Sequence, residues 1–206
     1  ARVEPGVING VFQAEVEKHG LFYPPDPNSL DSCCLGGNVA ENAGGPRALK
    51  YGVTREYVLG LEVVLPTGEI LRTGRRTIKG VAGYDLTGLF VGSEGTLGIV
   101  TGITLKLLPR PRHVATALVC FADLGAAARA VARVLAEGVI PRCLELLDDT
   151  SLQAVAKSSP FRFPASAGAG RLVGGAGNHE GAGAGGVRAG AGLGQGGGQG
   201  AGIVGL

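Results

Sequence analysis

The sequence predicts a mixed helix-and-strand chain of two domains followed by an irregular tail, and three observations predict it. Before residue 108, runs rich in branched residues are interleaved with glycine-rich segments. Pro109 and Pro111 then mark a boundary, beyond which a strand, a helix and a strand follow in order. After about Ala165 hydrophobic periodicity disappears.

The first element is a helix near Val7–His19, because Ile8, Val11, Phe12 and Val16 follow helical spacing and Gly20 stands where a left-handed cap belongs. Pro24, Pro25, Asp26 and Pro27 oppose regular structure and enforce an extended loop. A glycine-rich stretch, Gly36–Gly52, comes next. Leu59–Leu65 and Glu69–Leu71 read as strands joined by a turn at Pro66-Thr67-Gly68. A second glycine-punctuated segment, Gly83–Gly98, leads into an alternating strand, Ile99–Leu108. Beyond the prolines, Val114–Phe121 reads as a strand. Leu124–Glu137 reads as a helix with a Leu124, Val131, Val134 and Leu135 stripe, capped by Gly138, and Arg142–Leu147 as a strand. The expected domains are 1–111 and 112–164, with a tail over 165–206.

Eighteen of the thirty-nine residues from Gly168 to Leu206 are glycine. Such a stretch buries too little apolar area to offset its ordering entropy, so it is expected to be irregular with few contacts. A flexible tail is one reading. The other, preferred, is a GC-rich coding sequence read out of frame, which also yields glycine, alanine, valine and arginine without period. On either reading the tail carries no chemistry.

Composition narrows the classes. Over 206 residues the apolar share is 45% and the net charge +2, which points to a globular protein and gives no sign of a nucleic-acid surface. Glycine, at 38 residues, is more than twice its usual share. Methionine is absent and the opening Ala1-Arg2-Val3-Glu4-Pro5-Gly6 reads as the middle of a domain. No apolar run approaches the roughly 18 residues a span requires, and no signal peptide is visible. Cys33, Cys34, Cys120 and Cys143 show no CxxC spacing, so free thiols in a reducing, cytoplasmic setting are expected.

Three segments can carry chemistry. In Cys33-Cys34-Leu35-Gly36-Gly37-Asn38-Val39-Ala40-Glu41-Asn42-Ala43-Gly44-Gly45, paired glycines permit positive φ and close approach of a ligand. Successive exposed amides there suit a pyrophosphate, with Asn38 and Asn42 as further donors. Tight surface turns are the competing reading. In Lys50-Tyr51-Gly52 the tyrosine either packs on a ligand ring or is a half-buried residue starting a strand. In Gly92-Ser93-Glu94-Gly95-Thr96-Leu97-Gly98-Ile99-Val100, Glu94 either accepts from ribose hydroxyls or is solvated. Absences count as well: there is no GxGxxG after a strand, no GxxxxGK[ST], and no histidine–carboxylate cluster with metal-ligand spacing. No metal site is expected, and His113 reads as a surface residue.

Taken together, three runs resemble a known family. They are Tyr23-Pro24-Pro25-Asp26-Pro27, then Gly36 to Gly45 with Leu49-Lys50-Tyr51-Gly52-Val53-Thr54, and Gly83-Tyr84-Asp85-Leu86-Thr87 through Gly98. They are similar to the FAD-linked glycolate oxidase subunit and its D-lactate dehydrogenase relatives, over about residues 1–163. The resemblance implies an α+β fold: the second half of a vanillyl-alcohol-oxidase-type (PCMH-type) FAD-binding domain, then the start of an α+β cap domain that binds substrate. It implies FAD as cofactor. Candidate contacts are Cys33, Cys34, Gly36, Gly37, Asn38, Asn42, Gly44, Gly45, Tyr51 and Gly52 along the flavin and pyrophosphate. Glu94, Gly95, Ile99 and Val100 are placed at the adenosine end. The cysteine contacts would run through the backbone.

The implied chemistry is hydride removal from the hydroxyl-bearing carbon of a small 2-hydroxy acid, glycolate or D-lactate, to flavin. Other oxidase subunits are the implied partners, through which the protein sits at the membrane periphery. The family's first FAD lobe is expected before Ala1 and the rest of the cap after Asp149, so no catalytic base is named and the chain alone is expected to be inactive. The alternative is a non-catalytic remnant of the fold that acts as a structural or partner-binding piece.

Overall fold

The computed structural model describes residues 1–75, 77, 79–121, 123–158, 169–177 and 202–205. The chain divides into two compact units, Ala1–Arg110 and Pro111–Leu206.

The first unit is built on an antiparallel sheet in the order β1-β5-β3-β4, formed by Arg2–Val3, Ile99–Leu105, Val58–Val64 and Ile70–Arg72. Period-two alternation decides its faces. Leu61 and Val63 on β3, with Ile103 and Leu105 on β5, turn inward to one apolar cluster with Phe12, Val16, Leu35 and Val39. The last four come from α1, Asn9–Lys18, and α2, Leu35–Glu41, so both helices cover the inner face. Leu21–Phe22 (β2) pairs with Leu108–Pro109 (β6), which separates the latter from the long strand the alternation suggested. The turn at Pro66–Gly68 closes with the Gly68 N–H donating to the Leu65 carbonyl at 2.8 Å.

Helix α1 differs from expectation in its face. Phe12 and Val16 are buried, but Val11 is 66% exposed, and Asn9 and Gln13 are buried in its place. The cause is the proline run. Its carbonyls pass across the helix, and the chain there offers few N–H groups of its own. Asn9 Nδ2 donates to the Pro25 carbonyl at 3.0 Å, and Gln13 Nε2 donates to Tyr23 and Pro25 carbonyls at 3.0 and 2.8 Å. The two glycine-rich stretches also hold helices that periodicity did not reveal: α2, then Ala48–Tyr51 (α3), and Leu86–Phe90 (α4).

In the second unit Gly202–Gly205 (β10), His113–Phe121 (β7), Ala169–Gly177 (β9) and Cys143–Asp148 (β8) lie side by side in that order, antiparallel throughout. The strands β7, His113–Phe121, and β8, Cys143–Asp148, flank the helix α5, Leu124–Ala136, in sequence but are not neighbours in the sheet. The buried face of α5 is Ala127, Ala130 and Val134, the two alanines packed against Val119 and Phe121, whereas Leu124 and Leu135 are exposed. Small residues let the helix approach the strand closely, which a leucine stripe would prevent. Asp123 caps this helix by accepting the Ala126 N–H at 2.7 Å. Helix α6, Asp149–Ser158, follows β8 directly.

The tail departs from the irregular state expected of it. Ala169–Gly177 (β9) lies between β7 and β8, and Gly202–Gly205 (β10) pairs with the other edge of β7. A ladder is made by backbone N–H and C=O groups, which glycine carries as fully as any residue, so pairing does not require side-chain periodicity. The remainder of the expected tail lies outside the described residues. Among the described residues no helix is long and apolar enough to cross a membrane.

Candidate functional site

The Gly36-Gly37 pair, expected at positive φ, lies inside helix α2, where neither glycine takes a left-handed backbone. The two differ in what surrounds them. A Cβ on Gly36 would stand 2.5 Å from Pro5 Cβ, and the Gly36 N–H already donates to the Pro5 carbonyl at 2.8 Å. Gly36 is therefore explained by packing. Gly37 is exposed, and its nearest neighbour would be Cys34 Sγ at 3.6 Å. Among the described residues no acceptor takes the backbone N–H of Cys34 or Gly37. Asn38, expected as a ligand donor, is buried, and its Nδ2 contacts Cys33 Sγ at 3.6 Å.

The far end of α2 is tied to the Gly-Ser-Glu-Gly loop. The Gly92 N–H donates to the Val39 carbonyl at 2.9 Å and the Glu94 N–H to the Ala40 carbonyl at 3.0 Å, closing the last turn with groups from another segment. Glu94 is exposed with φ +53°, and Gly95 follows at φ +73°, where a Cβ would meet no atom within 4 Å. The Gly95 N–H also meets no acceptor among the described residues. Ile99 and Val100 start β5 opposite Val64 and Val63; Ile99 is 70% exposed, while Val100 packs on the core.

Asn42 ends α2 in the left-handed region, φ +53°, and its Oδ1 accepts the Arg55 N–H at 2.9 Å. The Arg55 guanidinium donates to the carbonyls of Gly88 and Val91. Sequence reasoning missed this arginine, whose only signal was a charge placed between two glycine-rich segments.

Gly44 and Gly45 form the next loop. At Gly45, φ is +158° and a Cβ would collide with the Asp26 carbonyl, whereas at Gly44 it would meet Val53 Cγ1 at 3.3 Å. Asp26 holds that loop from outside: its Oδ2 pairs with Arg47 Nε at 2.8 Å, and its Oδ1 accepts the Arg47 N–H at 3.2 Å. Arg47 also lies over the Phe22 ring, 5.3 Å from its centre. Tyr51 ends α3 half-buried, edge-on to Phe22 at 5.4 Å, and Gly52 follows at φ +78°. The Tyr57 hydroxyl donates to the Tyr51 carbonyl at 2.6 Å. Burial pushes the Tyr57 phenol up to about 12, so it remains a neutral donor at ordinary pH.

Most of the expected residues thus belong to one body: α2, the Asn42–Gly45 loop, the end of α3 and the Gly92–Gly95 loop. Cys34, Gly37 and Gly95 leave amides unspent, while Gly36, Asn38 and Gly45 are taken up by packing within the chain. Backbone amides without an acceptor, at positions where no Cβ stands in the way, are of the kind that suits phosphate oxygens. Among the described residues no group of three His, Cys, Asp or Glu side chains is placed to hold a metal ion, and His113 is exposed.

Comparison with known proteins shows the family. Residues 1–74 match the family model described as FAD binding domain, and residues 110–198 match FAD linked oxidases, C-terminal domain. Glycolate oxidase subunit GlcD of Bacillus subtilis is 51% identical over 173 residues, 84% of this chain and 37% of its own. Its namesake from Escherichia coli is 43% identical over 81% of this chain and 33% of its own. The D-lactate dehydrogenase of Anaerostipes hadrus is 43% identical over 71% of this chain and 31% of its own. The chain therefore spans about a third of the length of these relatives. A solved alkyldihydroxyacetonephosphate synthase shares the fold, with a TM-score of 0.75 at 24% identity over 86% of this chain and 34% of that one. The chain belongs to the family of FAD-linked oxidoreductases that includes glycolate oxidase subunits and D-lactate dehydrogenases, and FAD is that family's cofactor.

Proposed function

We propose that the chain is part of an FAD-dependent oxidoreductase that oxidises a small 2-hydroxy acid, glycolate before D-lactate. Residues 1–111 act as the second lobe of its FAD-binding domain and residues 112–164 as the start of its substrate-binding cap. The observation that carries the reading is the set of unspent amides at Cys34, Gly37 and Gly95 on one body of the first unit. The first two lie beside the diphosphate and flavin, and Gly95 with Glu94 lies toward the adenosine.

When bound, FAD supplies the acceptor for hydride from the hydroxyl-bearing carbon. The chain's own part is to hold and orient. Backbone donors that are already fixed need no reorganisation to receive phosphate charge. Asn42, Asp26, Arg47 and Arg55 keep the loops in place, and none of them is assigned a proton-transfer step. Partner subunits are part of the same reading, since two of the relatives carry the word subunit in their names. A cytoplasmic protein, reaching the membrane periphery through those partners, fits the absence of a spanning helix among the described residues.

The test is anaerobic reduction of the flavin in protein extended to the length of the relatives. Glycolate is expected to bleach the visible flavin absorbance faster than D-lactate does. Purified protein that carries flavin but is reduced by neither acid would refute the proposed substrate class.

A further inference from the structure

The outer face of the first unit's sheet, turned away from α1 and α2, carries a hollow of about 250 Å³. It is lined by Arg2, Glu62, Arg72, Thr73, Arg75 and Thr104, with glycines 60, 74 and 102. At roughly 30 Å³ of liquid volume per water, it has room for about eight waters or for a small polyatomic ion.

Its floor is unusual for a sheet, because glycine weakens a strand interior and marks close approach of another group. Two of the glycines are explained by the chain itself. A Cβ on Gly60 would stand 2.6 Å from the Thr73 carbonyl oxygen, and one on Gly74 would collide with the Leu59 carbonyl. Gly102 is different. It lies opposite Glu62 in the ladder, takes no positive φ, and its Cβ would meet nothing nearer than Glu62 Cβ at 3.4 Å and the flexible end of Arg2 at 3.6 Å. A Cβ would meet only ordinary contacts there, yet the position carries none, and Gly102 is buried at the foot of the hollow beside Glu62 and the end of Arg2.

Around that floor stand three guanidinium groups against one carboxylate. Glu62 Oε2 pairs with Arg2 Nη2 at 3.4 Å and with Arg72 Nη2 and Nε, both at 2.9 Å. Its Oε1 accepts the Thr101 hydroxyl at 3.2 Å. Arg75 Nη1 donates to the Gly80 carbonyl at 2.8 Å. Each guanidinium has five donors in a planar fork, so these bonds leave donors over. A ring of arginine donors with a net surplus of positive charge suits an oxyanion taken in a forked geometry.

We propose that this hollow binds a small doubly charged oxyanion, a phosphate or a dicarboxylate, over Gly102 and between Arg72 and Arg75. The inference rests on the sheet alone and is independent of the flavin reading.

The test is a titration of the isotope-labelled 206-residue chain with inorganic phosphate and, separately, with malonate, followed by amide and arginine Nε–H resonances. Saturable shifts grouped on Gly60, Gly74, Gly102, Arg72 and Arg75 are expected with at least one of the two. The one that saturates at lower concentration identifies the chemistry. Gly102→Val and the double variant Arg72→Gln/Arg75→Gln should each weaken that binding at least tenfold. Gly102→Val is expected to keep the parent's dispersed amide spectrum, which separates loss of the site from loss of the fold. Non-saturating shifts spread over all arginines, or shifts unchanged in both variants, would overturn the proposal.

Discussion

Asn42 accepts the Arg55 backbone N–H at 2.9 Å from a left-handed backbone, and the guanidinium of the same arginine reaches the carbonyls of Gly88 and Val91. This one pair joins the end of α2 to α4 and to the strand of chain that becomes the Gly92–Gly95 loop. The amides assigned to the cofactor therefore depend on a pair that holds the two loops together from within the chain.

Replacing Asn42 separates the two properties it combines. Asn42→Ala loses the acceptor and also bears the left-handed cost of about 1–2 kcal/mol that asparagine partly escapes. Asn42→Gly loses only the acceptor, about 1 kcal/mol for an ordinary hydrogen bond. Urea midpoints should therefore fall further for alanine than for glycine. Equal midpoints would show that backbone conformation is not what selects asparagine here.

Some of this architecture was legible in the residues and some was not. β3 and β5 were readable because one face is apolar and the other is polar or glycine, which is the period a half-buried sheet imposes. Helices α2 and α4 were hidden because glycines 36, 37 and 88 have low helix propensity, and α3 because its four residues are too few to show a period. They are held instead by outside contacts, such as Gly36 to Pro5 and Gly92 to Val39. The site's glycines could be named, but their separate roles could not. Packing claims Gly36 and Gly45 while leaving Gly37 open, and that depends on Pro5 and Asp26, which are distant in sequence. The register of β9 between β7 and β8 left no side-chain signal, since a glycine strand is defined by its backbone alone.

The alanine face of α5 gives a second prediction. Val134 is fully buried, whereas Leu124 and Leu135 are 47% and 39% exposed. Val134→Ala should cost about 2 kcal/mol, in the range for burying a valine side chain, and Ala130→Leu should be similarly harmful through overpacking. Leu124→Ala should remain within about 0.5 kcal/mol of the parent. Denaturation curves following the second unit that ranked Leu124 above Val134 would contradict this packing.

Acid stability gives a third. The hydrogen bond from Arg72 and then that from Thr101 hold the Glu62 carboxyl below the usual glutamate range, with the charges of Arg72 and Arg2 adding to them. A depressed carboxylate stabilises the folded state above its unfolded value, about 4.3, and that contribution fades as pH falls through the lower folded value. Glu62→Gln should therefore reduce stability at pH 7 and flatten the part of the pH–stability curve below about 4.3. Parallel curves for parent and variant through that acid limb would show that Glu62 is not linked to folding.

The last prediction uses the adjacent glycines of α2 as each other's control. Gly36→Ala drives a Cβ into Pro5, so it should destabilise the 206-residue chain directly. Gly37→Val adds its side chain to open space on a helix, where valine is no worse a helix former than glycine, so the chain's melting temperature should hold. On the proposed reading FAD sits between two lobes, the second formed by residues 1–111, so the 206-residue chain by itself is expected to purify without flavin. Affinity that depends on both walls is lost with one of them. In protein extended to the relatives' length, Gly37→Val should lower flavin affinity at least tenfold, about 1.4 kcal/mol, by pushing a side chain into the space above the Cys34 and Gly37 amides. The two substitutions then part company: one unfolds the lobe, and the other leaves it folded but empty. Full flavin occupancy in the extended Gly37→Val protein, judged by visible absorbance per chain, would mean that these amides face away from the cofactor.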